Sequence, residues 1–224
     1  MRIHYAIMSN DALESAYQAA HISWGYDALA WLLFAPVGGV ERLRRQALEH
    51  LGVTPATRVL ELGCGSGGVT CRLVGLGASV TAVDWSGPML EKAARRAPAA
   101  RFERSELTAY TPSPPASFDL VLFCFVLHEL DHEARAAALG VAARALSPGG
   151  RVAIVDHALP RRGLVARALS RFVHGFEPPS SRAWLRDGEA EQVLRDAGFE
   201  PGPRLLLASG LAFALEARRS ETRA

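Results

Sequence analysis

The residues best suited to chemistry begin with Glu61-Leu62-Gly63-Cys64-Gly65-Ser66-Gly67-Gly68, entered from Arg58-Val59-Leu60. Val59, Leu60 and Leu62 are strand formers, and glycines let a backbone turn sharply and approach a ligand closely. A helix starting after such a turn aims its first amides into the same crevice, a setting for a polar or anionic ligand group. Gly63, Gly65 and Gly68 also satisfy the dinucleotide spacing, so the turn alone says only that something nucleoside-like binds. A nucleoside ligand then needs an acid at the end of the next strand to accept hydrogen bonds from ribose hydroxyls. Asp84 ends Val80-Thr81-Ala82-Val83 and lies 21 residues after Gly63, against a customary ~20. Trp85 beside it could pack on the base or serve the core. Glu106, in Arg104-Ser105-Glu106-Leu107, could accept from an exocyclic amine, with Leu107 offering backbone contacts; the alternative is a solvated loop acid. Phe123 and Cys124 close another apolar run, and the carboxyl ends of strands are where open α/β sheets place ligands.

The elements that must position these groups follow from periodicity. From Thr57 onward strand and helix patterns alternate. Strands are predicted at 58–62, 79–83, 99–103, 118–124 and 151–156, and helices near 67–76, 87–97, 131–146 and 187–197. Ser86, Asp131 and Asp187 stand where N-caps belong and Gly198 where a helix should end. Such alternation predicts a parallel sheet with helices on both faces. The ending differs: Leu205–Ala208 and Leu211–Leu215, joined by Ser209-Gly210, read as a hairpin that closes the sheet with an antiparallel strand. Ahead of the core, Val40, Leu43, Ala47, Leu48 and Leu51 form an amphipathic helix ended by Gly52 and Pro55. Residues 1–55 are read as an aromatic-rich helical lid and 56–224 as the core.

Bulk properties exclude several classes. A chain of 224 residues, 49% hydrophobic, suits one domain with an appendage. The net charge of +2 calls for no nucleic-acid partner and specifies no oligomeric state. The cysteines, Cys64, Cys71 and Cys124, are odd in number and lack paired spacing. They argue against a disulfide framework or a metal site and fit a reducing cytoplasm. No run reaches the ~20 apolar residues of a membrane span.

Four pieces in order carry a resemblance. They are Val59 to Gly67, Val83-Asp84-Trp85-Ser86, Ser117-Phe118-Asp119-Leu120-Val121 and Leu146-Ser147-Pro148-Gly149-Gly150. Over roughly residues 40 to 224 the chain resembles the class I S-adenosylmethionine-dependent methyltransferases. Within them it is similar to the small-molecule branch around ubiquinone and menaquinone biosynthesis, on Trp24-Gly25-Tyr26-Asp27 and Arg42 to Leu48. The resemblance implies a Rossmann-like, doubly wound α/β fold of seven strands with the last antiparallel, and S-adenosyl-L-methionine as cofactor. Glu61, Gly63, Cys64, Gly65 and Gly67 would cradle its methionine part. Asp84 and Trp85 would hold the ribose and base, Glu106 and Leu107 would border the adenine, and Phe123 and Cys124 would flank the reactive end. Many relatives carry an aspartate where this chain has Ser105-Glu106.

Methyl transfer is an in-line displacement on an already activated carbon, so positioning and water exclusion dominate. A hydroxyl, amine or activated carbon acceptor can also call for a base. His128, directly after the fourth strand, is the first candidate, and His157, ending the fifth beside Asp156, is the second; Glu129 and His132 read as helix-start residues. The acceptor is expected to be a small, largely apolar or aromatic metabolite. It would be covered by Tyr5, Trp24 and Tyr26 of the lid and by Phe172 and Phe176 of a cap at about 161–186. With Arg161, Arg162, Arg167 and Arg171 that apolar stripe could also touch a membrane surface. Two other classes share the glycine turn: a non-methylating user of the same cofactor and a nucleotide-dependent oxidoreductase.

Overall fold

The computed structural model describes residues 38–159, 167, 183–186 and 188–220. The lid residues Tyr5, Trp24 and Tyr26, the cap residues Phe172 and Phe176, and the Asp187 cap lie outside the described residues. Helix α1 (Gly39–His50) precedes β1 (Arg58–Leu62), α2 (Thr70–Gly75), β2 (Ser79–Asp84), α3 (Gly87–Arg96), β3 (Arg101–Arg104) and β4 (Phe118–Cys124). Then come α4 (His132–Ala145), β5 (Leu146–His157), α5 (Glu189–Asp196), β6 (Phe199–Pro201), β7 (Leu205–Leu207) and β8 (Ala212–Arg219). The sheet runs β3-β2-β1-β4-β5-β8-β6, with β7 also on β8.

Strands β1 to β5 are mutually parallel, and β8 runs antiparallel to β5, β6 and β7. The predicted terminal hairpin is present, with Leu205 opposite Ala214 and Leu207 opposite Ala212. The expected seven strands become eight among the described residues. The seventh position is occupied end to end by β6, paired with Ala217–Arg219, and β7, paired with Ala212–Ala214. Gly202-Pro203-Arg204 separates them; Gly202 still donates to the Glu216 carbonyl at 2.8 Å, but Pro203 has no N–H to continue the ladder.

Alternation along the strands sends side chains into two cores. Val59, Val80, Ala82, Leu120, Leu122 and Val155 pack with Leu43, Ala47 and Leu48 of α1 and Leu73 of α2. Leu60, Leu62, Val83, Val121, Phe123 and Ile154 pack with Leu139 and Ala142 of α4 and Val193 and Leu194 of α5. Helix α1 is therefore part of one helical layer. Helix α2 starts at Thr70, later than the pattern predicts, because Gly65 to Val69 closes in successive turns first. The chain steps from β1 outward to β3 and then returns to β4 on the other side of β1. The carboxyl ends of β1 and β4 thus flank the reversal point where open sheets form a ligand crevice.

Candidate functional site at the carboxyl edge of the sheet

The turn after β1 is held by its neighbours. Gly63 and Cys64 both donate to the Val83 carbonyl, at 2.8 and 3.1 Å. Three glycines have φ of +80° (Gly63), +51° (Gly65) and +76° (Gly67), a region costly for side-chain-bearing residues. Their surroundings differ. A Cβ on Gly63 would lie 2.4 Å from Val126, and one on Gly67 2.8 Å from the Ala93 Cα, whereas one on Gly65 would meet no described atom within 4 Å. Gly63 and Gly67 are thus packing glycines, and Gly65 is unobstructed by the described residues. Arg44 of α1 crosses the end of the turn, its guanidinium carbon 2.6 Å from a Cβ built on Gly68.

Glu61 sits below this turn, buried, accepting from the Thr70 hydroxyl at 2.6 Å. Burial pushes its carboxyl from 4.5 up to about 7, partly offset by Thr70 and the charge of Arg44. Burial likewise pushes the Cys64 thiol up. Asp84, at the end of β2, accepts from Gly65 N–H at 2.8 Å through Oδ2 and from Ser86 N–H at 3.0 Å through Oδ1. Ser86 is the N-cap of α3 by position but makes no side-chain cap bond; its own amide is held by the Asp84 carboxylate. Burial raises the Asp84 carboxyl, opposed by the N–H groups of Ser86, Gly65 and Trp85. Each oxygen retains acceptor capacity for a ligand hydroxyl. The Asp84 carbonyl also anchors Ser105 N–H at 3.1 Å. Beyond it Leu107 is buried and Glu106 exposed. Trp85 is half-buried, its carbonyl accepting from Arg104 Nε at 2.9 Å.

The ends of β4 and β5 form the third side. Phe123 is fully buried among core residues at the carboxyl end of β4. Cys124, one residue on, belongs to the opposite core, and burial pushes its thiol up. Phe125 follows with φ +56°, a strained conformation of the sort concentrated at functional sites. It swings the chain so that His128 comes over β5. Asp156, fully buried, receives His128 Nδ1 at 2.8 Å, His128 N–H at 3.2 Å and His157 N–H at 2.8 Å. The rings of His128 and His157 meet edge to face, centroids 4.7 Å apart. His128 and His157, separate candidates in the sequence, are therefore brought together on one carboxylate.

A methyltransferase domain model matches residues 59–150. An uncharacterized methyltransferase of Synechocystis sp. is 32% identical over 200 residues, 89% of this chain and 93% of that protein. Among solved structures, magnesium protoporphyrin IX methyltransferase from Synechocystis, with S-adenosylhomocysteine bound, shares the fold. Its TM-score is 0.65 at 19% identity, covering 95% of this chain and all of that one. The chain belongs to the S-adenosylmethionine-dependent methyltransferases. The demethylmenaquinone methyltransferase of Beutenbergia cavernae is 30% identical to this methyltransferase over 174 residues, 75% of this chain and 71% of that protein. A TehB-like methyltransferase from Corynebacterium glutamicum aligns at TM-score 0.63 and 20% identity, over 90% of this chain and 99% of that one.

Gly65, unobstructed by any described atom, with the buried carboxylates of Asp84 on its amide and Glu61 at the end of β1, fits a cofactor that carries an amino acid ammonium group and ribose hydroxyls. Two partners in this methyltransferase escaped the sequence reading. Thr70 was lost in the glycine-rich turn. Asp156 was noted only as a neighbour of His157, although an acid closing the apolar strand Val152–Val155 repeats the pattern of Asp84 closing β2. Among the described residues no helix is long and apolar enough to cross a membrane.

Proposed function

We propose that this methyltransferase transfers the methyl group of S-adenosylmethionine to a small, largely apolar or aromatic acceptor. The observation that carries the reading is Gly65 at the reversal point of the sheet, whose amide is held by the Asp84 carboxylate and whose side-chain position meets no described atom within 4 Å. Glu61, Gly63, Cys64, Gly65 and Gly67 hold the methionine part, Asp84 the ribose, and Trp85, Glu106 and Leu107 the base. Cys124 and the backbone of Phe123 border the reactive end. When bound, the cofactor supplies a methyl group already activated on a sulfonium sulfur. The protein's part is to orient the acceptor, exclude water and accept a proton, for which His128 is the first group in reach and His157 the second.

A small acceptor is supported by the similarity to the demethylmenaquinone methyltransferase. The N-terminal lid with Tyr5, Trp24 and Tyr26 and the cap at about 161–186 with Phe172 and Phe176 are proposed to close over the acceptor. A cytoplasmic setting accords with three free cysteines. Calorimetry tests the cofactor: S-adenosylhomocysteine binds and NAD does not. Incubation of methyl-labelled cofactor with metabolite extracts and with reduced demethylmenaquinone tests the acceptor. Absence of S-adenosylhomocysteine binding, or label found only in macromolecules, would overturn the reading.

A further inference from the structure

A strand at the edge of a sheet leaves a row of backbone N–H and C=O groups open to another chain, and proteins shield such edges with charge, proline or brevity. The edges of this sheet differ in that respect. Strand β3, at one end, reads Arg101-Phe102-Glu103-Arg104, and β6, at the other, ends in Pro201. Strand β7, which shares β8 with β6, is Leu205-Leu206-Leu207 and carries no charge. Among the described residues no strand lies on its outer side, and Leu205 and Leu206 are 37% and 52% exposed. Leu207 packs in one core with Leu43 and Ala47 of α1, so an outer stripe of that helix runs beside the strand. Arg42, Gln46, Glu49 and His50 of the stripe border, with Leu205 and Leu206, a groove of about 750 Å³.

The charges of the stripe say what fits there. Arg42 and Glu49 are both exposed and seven residues apart, hence on one face of α1 and about 10 Å apart along its axis. Glu49 has only a loose contact with Arg45, 3.7 Å away at the surface. Arg42 closes the first turn and Glu49 stands in the last, so each sits at the helix end that its charge disfavours. Against an antiparallel second copy of α1, each charge meets its opposite and lies near the end that suits it. We propose that this face is a homodimer interface. A two-fold axis normal to the sheet pairs β7 antiparallel with the same strand of a second copy and lays the two α1 helices antiparallel, with Arg42 against the partner's Glu49. One patch then serves both copies, as an isologous contact requires. A three-residue strand pair alone falls short of the ~800 Å² per partner of a specific interface, so the helix stripe must contribute. Leu205 and Leu206 form the apolar centre and the two Arg42–Glu49 pairs the rim.

Sedimentation of the full chain tests this. Interfaces of this size dissociate at micromolar concentrations or below, so at about 100 µM the wild type should sediment at twice the mass of one chain. Leu206→Lys places two ammonium groups across the axis and should raise the dissociation constant at least about tenfold. Arg42→Glu and Glu49→Arg should each raise it about threefold or more, because like charges then face each other. The double exchange, Arg42→Glu with Glu49→Arg, should return it to within about threefold of the wild type. That rescue decides the matter even if Leu206→Lys does not fold, since both exchanged charges also suit the dipole of their own helix. Hydrogen exchange at the Leu205–Leu207 amides should slow as protein concentration rises. A wild type that is monomeric at about 100 µM overturns the proposal. So does a dimer that Leu206→Lys leaves intact, or one that the double exchange does not rescue. Amide protection independent of concentration would assign the edge to a segment of the same chain and overturn it as well.

Discussion

Replacing Glu61 with Gln should make this protein more stable at alkaline pH and leave it unchanged in acid. The carboxyl is buried, bonded to one hydroxyl, and pushed from 4.5 to about 7. A group whose folded pKa lies above its unfolded value binds more protons when folded. Its stabilising contribution is complete below 4.5 and is lost as pH climbs through about 7. The difference of about 2.5 pH units, at 1.36 kcal/mol each, is worth roughly 3 kcal/mol. Gln keeps an oxygen for the Thr70 hydroxyl without the charge, so it imitates the protonated form. For a chain of this length the gap converts to roughly 6–12 °C in melting temperature. Thermal melts of both proteins from pH 4 to 8.5 check this: the curves should coincide near pH 4, separate between about 4.5 and 7 and keep a constant gap above that, Glu61→Gln melting higher. The comparison cancels groups remote from Glu61, such as Asp119, which both proteins retain. Parallel curves would refute the argument, because they would mean that Glu61 ionises without cost. Weaker S-adenosylhomocysteine binding by Glu61→Gln would show that the strain is kept for the ligand.

Gly65→Ala and Gly67→Ala share a positive-φ backbone cost of roughly 1–2 kcal/mol, but only Gly67→Ala drives a Cβ to 2.8 Å from the Ala93 backbone. Urea melts should show Gly67→Ala losing roughly 1–3 kcal/mol more, while calorimetry shows Gly65→Ala losing S-adenosylhomocysteine affinity; equal stability losses would count against the packing argument. Asp84→Ala leaves the Gly65 and Ser86 amides without their acceptor, so stability and affinity should both fall by about 1–3 kcal/mol, with unchanged affinity refuting its placement. The Arg58 guanidinium at 2.6 Å holds the Asp119 carboxyl at about 2, below its usual 3.8. Its contribution is present above 3.8 and lost as pH falls toward 2. Because the pair is largely solvated, Asp119→Asn should flatten the acid limb of the stability curve by under about 1 kcal/mol.

Much of the fold was legible because its signals are local. A glycine that must reach positive φ, an acid ending an apolar strand, and 3.6-residue periodicity are properties of a few adjacent residues. Hence the turn at Gly63–Gly67, the strand ending in Asp84, helix α4 with its Asp131 cap bonded to Ala134 N–H, and the terminal hairpin were all readable. The short strand β6 was not, since three residues ending in Pro201 and followed by Pro203 carry no period. The facing of β4 was unreadable for a related reason. Both faces of β4 are buried, so its run Leu120–Phe123 is apolar at every position and gives no clue to which residues face which layer.

The chain's own order of residues therefore determined which groups stand at strand ends and that a glycine-rich turn receives a nucleoside-like ligand. The tertiary structure alone decided what those groups touch. Asp156 and His128 are 28 residues apart and meet because β4 and β5 are neighbours in register, with Cys124 opposite Val155, and because Phe125 bends the chain back over that edge. Glu61 acquires its raised pKa only from the layers that exclude water around it. Gly65, identical to Gly63 and Gly67 in sequence terms, is distinguished from them because no described atom lies against its side-chain position. Such properties come from through-space packing and desolvation between distant segments, which no local pattern encodes.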